Sequence, residues 1–159
     1  MKVQRTSGQG VAAMKKAIRD LSQKQARIGF FEYSKYEDGT PAAYVATIQE
    51  FGYPGGNIPP RPFFRPTIAE QRNAWRMTLA KGAKAVMNGR LTVQMMLEQF
   101  GLMAAGDVKK TIAAVTTPAL KQSTLKARQS RKKTPGVSTK PLVDTGFMLS
   151  QVNSDVVDK

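Results

Sequence analysis

Proline constrains this chain more than any other residue, because four of the eight residues 59–66 are proline. Proline fixes its own φ at about −65° and has no amide hydrogen, so this stretch cannot lie inside a sheet. The residue before each proline is biased toward extended geometry as well. The sequence therefore predicts a stiff, extended arm over residues 52–66, with two adjacent phenylalanines, Phe63 and Phe64, near its end.

The composition argues against most kinds of catalysis. The 159 residues include no histidine and no cysteine. Histidine is the commonest general base and metal ligand, and cysteine supplies thiolates and disulfides. We therefore predict a non-enzymatic protein without a cofactor or a metal. The lack of cysteine fits a reducing compartment, and the length fits a single domain.

The formal net charge is +14, from 25 Lys and Arg against 11 Asp and Glu. Such an excess favours a polyanionic partner, usually nucleic acid. It is also compatible with a solvated basic face or with an acidic protein partner. No apolar run approaches the ~18 residues of a membrane span, and the N-terminus lacks the apolar core of a secretory signal. We expect a soluble intracellular product that makes no membrane contact.

Apolar periodicity indicates several helices and a few strands without alternating βαβ units. Helices are predicted over about residues 7–22, 41–51, 67–88 and 92–115, and strands over about residues 27–33 and 151–157. Thr67 and Glu70 have the spacing of a capping box. On the second helix, Tyr44, Ile48 and Phe51 form one apolar stripe. We expect one α+β domain over residues 1–159, with a short antiparallel sheet packed with helices.

Residues 119–140 form a basic segment without a single acidic residue. Blocks of like charge are usually mobile, or become ordered only against an anionic partner. We expect a basic, mobile loop with a turn at residues 134–136. It either contacts DNA phosphates or becomes ordered against an acidic protein. The candidate contact residues are Lys121, Lys126, Arg128, Arg131, Lys132, Lys133 and Lys140.

The triplet Asp144-Thr145-Gly146 also occurs in the catalytic turn of aspartic proteases. This sequence has no second copy of the triplet. A retroviral-type protease could supply one by dimerisation, but the apolar strands that flank its triplet are missing here. We predict a structural turn instead. In such a turn Asp144 and Thr145 bond local amides, and Gly146 supplies an unusual φ.

Three segments in a fixed order carry a resemblance to a known family. An apolar helix ends in EFG at residues 50–52, and PPRPFFRP at residues 59–66 leads into a long polar helix. STLK at residues 123–126 and KPLVDTG at residues 140–146 then precede the last strand. Over roughly residues 40–157 the chain resembles the tail-completion, or head–tail joining (neck), proteins of long-tailed bacteriophages. These are also described as minor tail-component or virion-morphogenesis proteins.

The resemblance implies a non-enzymatic structural role in the virion. Family members act in multiple copies at the neck or tail end, complete the tail and join it to the DNA-filled head. The implied partners are copies of the chain in a ring, neighbouring neck and tail proteins (connector or stopper, tail terminator or tail tube) and packaged DNA. The implied location is the virion, with the host cytoplasm during assembly. A small non-specific nucleic-acid-binding protein is the alternative.

In a ring, we expect the arm to dock on a neighbouring copy. A rigid arm loses little entropy on docking, and aromatic anchors supply most of the binding energy of an interface. Phe63 and Phe64 would be the anchors. Arg61 and Arg65 would pair with carboxylates of the neighbour or flank the anchors. The predicted interface residues are Pro59, Pro60, Arg61, Pro62, Phe63, Phe64 and Arg65. Alternatively, the two phenylalanines pack within the chain and the arm only closes the domain.

Overall fold

The two strands of the sheet come from opposite ends of the chain. A computed structural model describes residues 8–132 and 138–159, and this part of the chain contains six α-helices and two strands. The elements are α1 (Gly8–Gln23), β1 (Lys24–Gly29), α2 (Ala42–Phe51), α3 (Phe64–Met87), α4 (Val93–Ala114), α5 (Gln122–Gln129), α6 (Phe147–Ser150) and β2 (Asn153–Asp158). The predicted α+β class is confirmed.

Strands β1 and β2 pair antiparallel, in a register that runs from Lys24 opposite Asp158 to Gly29 opposite Asn153. An exposed ion pair of 2.8 Å joins Lys24 to Asp158 at the outer end of the ribbon. β1 ends at Gly29, so the strand predicted to reach residue 33 was placed too late. The aromatic side chain that follows, Phe30, packs into the core and leaves the ladder.

The hydrophobic core has two parts that meet along α4. One part contains Phe63, Val108, Ile112 and Val152, all almost fully buried. The other part gathers α1, α3 and the first turns of α4 around Met96. Because side chains of α4 contribute to both parts, this helix connects the sheet to α3.

Helix ends follow local signals in two places. α2 ends at Phe51, as predicted, and the Gly52 that follows has φ 79°. α4 begins after Thr92, whose hydroxyl accepts the amide hydrogen of Met95 at 3.1 Å. The capping box at Thr67 is wrong, since α3 already begins at Phe64. Thr67 instead lies buried in the first turn, where its hydroxyl donates to the Phe63 carbonyl at 2.6 Å.

The basic segment departs from the predicted loop. Residues 122–129 form α5, and the side chain of Arg128 at its end is buried. The loop prediction is therefore wrong for this stretch. The predicted turn at residues 134–136 lies outside the described residues, and so does Lys133.

Two glycines of α4 give a matched test of this packing. A Cβ on Gly101 would lie 2.8 Å from the Cβ of Ser154 in β2, whereas a Cβ on Gly106 would meet nothing within 4 Å. Gly101→Ala should lower the free energy of unfolding by about 1–3 kcal/mol through overpacking. Gly106→Ala should raise it by about 0.4–1 kcal/mol, because alanine favours the helix. Urea denaturation measures both, and equal effects would contradict the close approach of α4 to β2.

Candidate functional site

A buried carboxylate, Glu50, holds the end of α2 against the start of α3. Glu50 is 4% exposed. Its Oε2 accepts the amide hydrogens of Phe63 at 2.7 Å and Phe64 at 3.0 Å, and its Oε1 accepts that of Arg65 at 3.2 Å. The guanidinium of Arg65 donates to the same Oε1 at 2.9 Å. The carboxylate thus satisfies the unpaired amides at the α3 N-terminus, where the helix dipole also favours negative charge.

These contacts set the protonation state of Glu50. Burial alone would raise its pKa, but the amide donors of Phe63, Phe64 and Arg65 and the Arg65 guanidinium outweigh burial. The net pKa therefore lies below its ordinary value of 4.5. Glu50 is charged at neutral pH and serves as a structural cap of α3.

Because Glu50 points inward, α2 turns its aromatic side chains outward. Ala42, Ala46 and Glu50 are the buried residues of this helix. Tyr44 is 59% exposed and Phe51 is 63% exposed. An apolar stripe of Tyr44, Ile48 and Phe51 would usually face the core of a protein. In this structure Tyr44 and Phe51 are exposed to solvent instead.

A third exposed aromatic side chain follows directly after α2. Tyr53 is 51% exposed and pairs with Ile58 in an isolated antiparallel bridge. Its ring lies close over the turn, since a Cβ on Gly56 would come within 2.7 Å of it. Arg65 stands over the Phe51 ring at 4.9 Å, a cation–π geometry. We call Tyr44, Phe51 and Tyr53 the aromatic surface.

The phenylalanines of the arm pack inside the molecule. Phe63 is 0% exposed, and Phe64 is partly buried beside it. Both rings meet Phe30 edge-on, with centroid distances of 6.3 and 6.2 Å. The prediction that Phe63 anchors a neighbouring copy is therefore wrong. The alternative, in which this side chain packs within its own chain, agrees with the burial of Phe63 in the core.

The two arginines of the arm also bond within the chain. Arg61 is buried and donates to the carbonyls of Pro118 at 2.8 Å and Ala119 at 3.3 Å. Burial, and next the charge of Arg128, lowers the pKa of Arg61. The predicted pairing of Arg61 with a neighbour's carboxylate is therefore wrong. Arg65 is held by Glu50, but its side chain is 59% exposed, so its pairing with a neighbour stays a prediction. Of the prolines in the predicted interface, Pro60 is exposed, and Pro59 and Pro62 are partly buried.

The cations of the basic segment divide into two groups. Arg128 donates to the carbonyls of Ser138, Lys140 and Pro141 at 3.0–3.1 Å. The Lys140 ammonium donates to the Ala113 carbonyl at 2.8 Å. These bonds hold the segment onto the domain, so Arg128 and Lys140 have structural roles, as does Arg131 through its ion pair with Asp144. The exposed side chains Lys121, Lys126 and Lys132 form no bond within the described part of the chain.

Asp144 pairs with arginines of the basic segment. One carboxylate oxygen lies 3.4 Å from Nε of Arg128, and the other accepts a hydrogen bond from Arg131. The local-amide prediction is therefore wrong for Asp144. It holds for Thr145, whose hydroxyl accepts the amide hydrogen of Phe147 at 3.3 Å, and Gly146 has φ 80° as predicted.

A cleft of about 330 Å³ lies beside this turn. Its polar lining includes Tyr36, Asp38, Arg131 and Asp144. Burial first, then the charges of Asp144 and Asp38, raises the pKa of Tyr36. Both oxygens of Asp144 face arginines, so this carboxylate holds the basic segment by ion pairs, although its buried Oδ1 accepts no hydrogen bond within the described residues.

The described residues, 8–132 and 138–159, contain neither a cluster of metal ligands nor a membrane-spanning helix. Within them no three carboxylates lie close enough together to hold a metal ion. No helix in the same ranges has the length and apolar character to cross a membrane.

Sequence reasoning did not assign a role to Glu50, which caps α3 and pairs with Arg65. Its signal is the spacing of Ala42, Ala46 and Glu50 at every fourth residue, which puts one carboxylate on the smallest-residue face of a helix. Comparisons with protein-family models, with curated proteins and with solved structures gave no match.

Glu50→Gln should lower the free energy of unfolding at pH 7 by about 2–3 kcal/mol, because charge-assisted bonds to amides are lost. A folded-state pKa below 4.5 means that the carboxylate stabilises the fold above that pH and loses this effect as the pH falls through the folded-state pKa. The difference between wild type and variant should therefore shrink on acidification below about pH 4.5.

Chemical denaturation from pH 7 to pH 3 measures this difference. Glu70→Gln, at an exposed position on α3, is the control and should change stability by less than about 0.5 kcal/mol. A difference for Glu50→Gln that is the same at every pH would contradict the charged cap.

Proposed function

We propose that this protein is a non-enzymatic virion structural protein of a long-tailed bacteriophage. It acts in multiple copies at the neck or tail end, completes the tail and joins it to the DNA-filled head. The order of the EFG, PPRPFFRP and KPLVDTG segments supports this assignment. The aromatic surface is the observation that carries it, because it supplies a surface for assembly.

An assembly surface needs large apolar side chains that are already held in place. Aromatic residues are enriched at the centres of interfaces and supply most of their binding energy. Tyr44 and Phe51 lie one above the other, seven residues apart on a helix whose opposite side is buried. Their backbone is fixed by Glu50, so little conformational entropy is lost when a partner docks.

The arm acts indirectly in this proposal. Phe63 and Arg61 secure it to the core and to residues 118–119, and the arm in turn fixes the turn that carries Tyr53. The partner is a neighbouring copy or an adjacent neck or tail protein. Assembly takes place in the host cytoplasm, and the mature protein resides in the virion.

Tyr44→Ser combined with Phe51→Ser should leave the monomer folded and block its incorporation into particles. Both side chains are exposed, so their loss costs the monomer little, whereas an interface would lose its anchors. Electron microscopy of lysates from a phage lacking this gene, complemented with the variant, should show filled heads beside unjoined or aberrant tails. Wild-type complementation should restore joined particles.

Met95→Ser combined with Leu102→Ser is the matched control. These residues are also exposed, at 46% and 70%, and have the same seven-residue spacing on a helix. This control should restore joined particles. Joined, infectious particles with the Tyr44 and Phe51 variant would refute the aromatic surface as the assembly interface. Joined particles without the gene would refute the proposed function.

A further inference from the structure

The solvent side of α3 carries positive charge that nothing in the described structure neutralises. α3 has 24 residues and a single carboxylate, Glu70, near its start. Four cations further along the helix are exposed: Arg72, Arg76, Lys81 and Lys84. Within residues 8–132 and 138–159 none of these four makes a side-chain hydrogen bond or an ion pair. We call them the α3 cations.

Many other cations of the described chain already have partners. Carboxylates pair with Lys16, Lys24, Arg27, Arg65, Lys110, Arg128 and Arg131. Lys140 and Arg61 donate to carbonyl oxygens. The α3 cations are unneutralised charges on one rigid element. Arg72, Arg76 and Lys84 lie within about 120° of one another around the helix axis, and Lys81 lies on the side opposite Arg72. Residues 119–140, which the sequence indicated for this role, use much of their charge internally.

The geometry of α3 suits an extended polyanion. At about 1.5 Å rise per residue, Arg72 and Lys84 are about 18 Å apart along the axis, and Arg72 and Arg76 about 6 Å. The buried side of α3 includes Val86 and packs on α4, so the cations have a fixed backbone. A duplex presents phosphates along its whole length, and neutralising them releases counterions.

The same surface is poorly suited to a protein partner. Protein interfaces are depleted in charge at their centre and contain large apolar side chains there. Between Arg72 and Lys84, the only large apolar residue that is exposed is Met77. Long, flexible cations around one methionine would lose much side-chain entropy against an ordered protein surface.

We propose that the α3 cations bind the phosphate backbone of double-stranded DNA without sequence preference. Arg72, Arg76 and Lys84, which share one side of α3, contact phosphate oxygens, and Arg72 and Arg76 can each donate two parallel hydrogen bonds. The inference goes beyond the proposed assembly role and does not depend on it, because the aromatic surface shares no residue with the α3 cations.

The test compares two triple variants with equal charge. One replaces Arg72, Arg76 and Lys84 with Gln, and the other replaces Lys121, Lys126 and Lys132 with Gln. Each lowers the formal net charge by three, from +14 to +11. Glutamine favours helices nearly as well as arginine and lysine, so both variants should keep the far-UV circular dichroism of the wild type.

Binding is measured by fluorescence anisotropy with a labelled mixed-sequence duplex of about 30 base pairs at several salt concentrations. The α3 variant should bind at least about tenfold more weakly at 0.1 M salt. In a plot of log K against log salt concentration, the magnitude of its slope should be smaller than that of the wild type by about 2.7. The control variant should change affinity by less than about threefold, because its lysines lie outside α3.

Three results would overturn the proposal. The first is a wild-type protein that does not bind the duplex. The second is an equal loss of affinity in both variants, which would mean that binding follows net charge alone. The third is competition by poly-L-glutamate as effective as that by unlabelled duplex, which would indicate an acidic protein partner. None of these results bears on the particle-joining experiment, so the two proposals fail separately.

Discussion

The hydrogen bonds between the Glu50 carboxylate and the first amides of α3 fix how α2 and the start of α3 are oriented. A helix N-terminus buried without partners would be costly, and here one charged side chain from the preceding helix satisfies three amides. To do so, Glu50 must point inward. That orientation places Phe63 in the core and leaves Tyr44 and Phe51 in solvent.

The same bonds relate two surfaces of different chemistry. The aromatic surface belongs to α2 and the turn after it, and the α3 cations belong to the helix that Glu50 caps. Glu50 therefore fixes the position of one surface relative to the other. A protein that contacts both a protein neighbour and a polyanion benefits from such a rigid relation, since docking at one surface then orients the other.

Local signals in the sequence correctly predicted the features that depend on neighbouring residues. The end of the second helix before Gly52, the positive φ of Gly146 and the terminal strand are of this kind. The predictions that failed concern positions where a residue distant in the sequence replaces the local partner. Thr67 matches a capping box, but Glu50, well separated from it in the chain, caps α3 one turn earlier.

The candidate site was harder to predict than the fold for the same reason. The apolar side chains of α2 indicate a core face, but a helix with alanines at every fourth residue can pack closely on that side. Charge density alone suggested residues 119–140. It could not show that Arg128 is buried and donates to carbonyls, nor that the exposed Lys140 donates to the Ala113 carbonyl.

The pairing of β1 with β2 sets the order in which a new copy can finish folding. Residues 30–152 separate the two strands, and at about 5–20 residues per second their synthesis takes about 6–25 s. During that time β1 has been made but β2, its pairing strand, has not. Phe30 cannot yet pack against the core cluster, because that cluster includes Val152. A growing chain on the ribosome thus exposes an unpaired strand edge, which is the feature that chaperones shield and that promotes aggregation. The two-stranded sheet can form only in chains whose synthesis has reached residues 153–158.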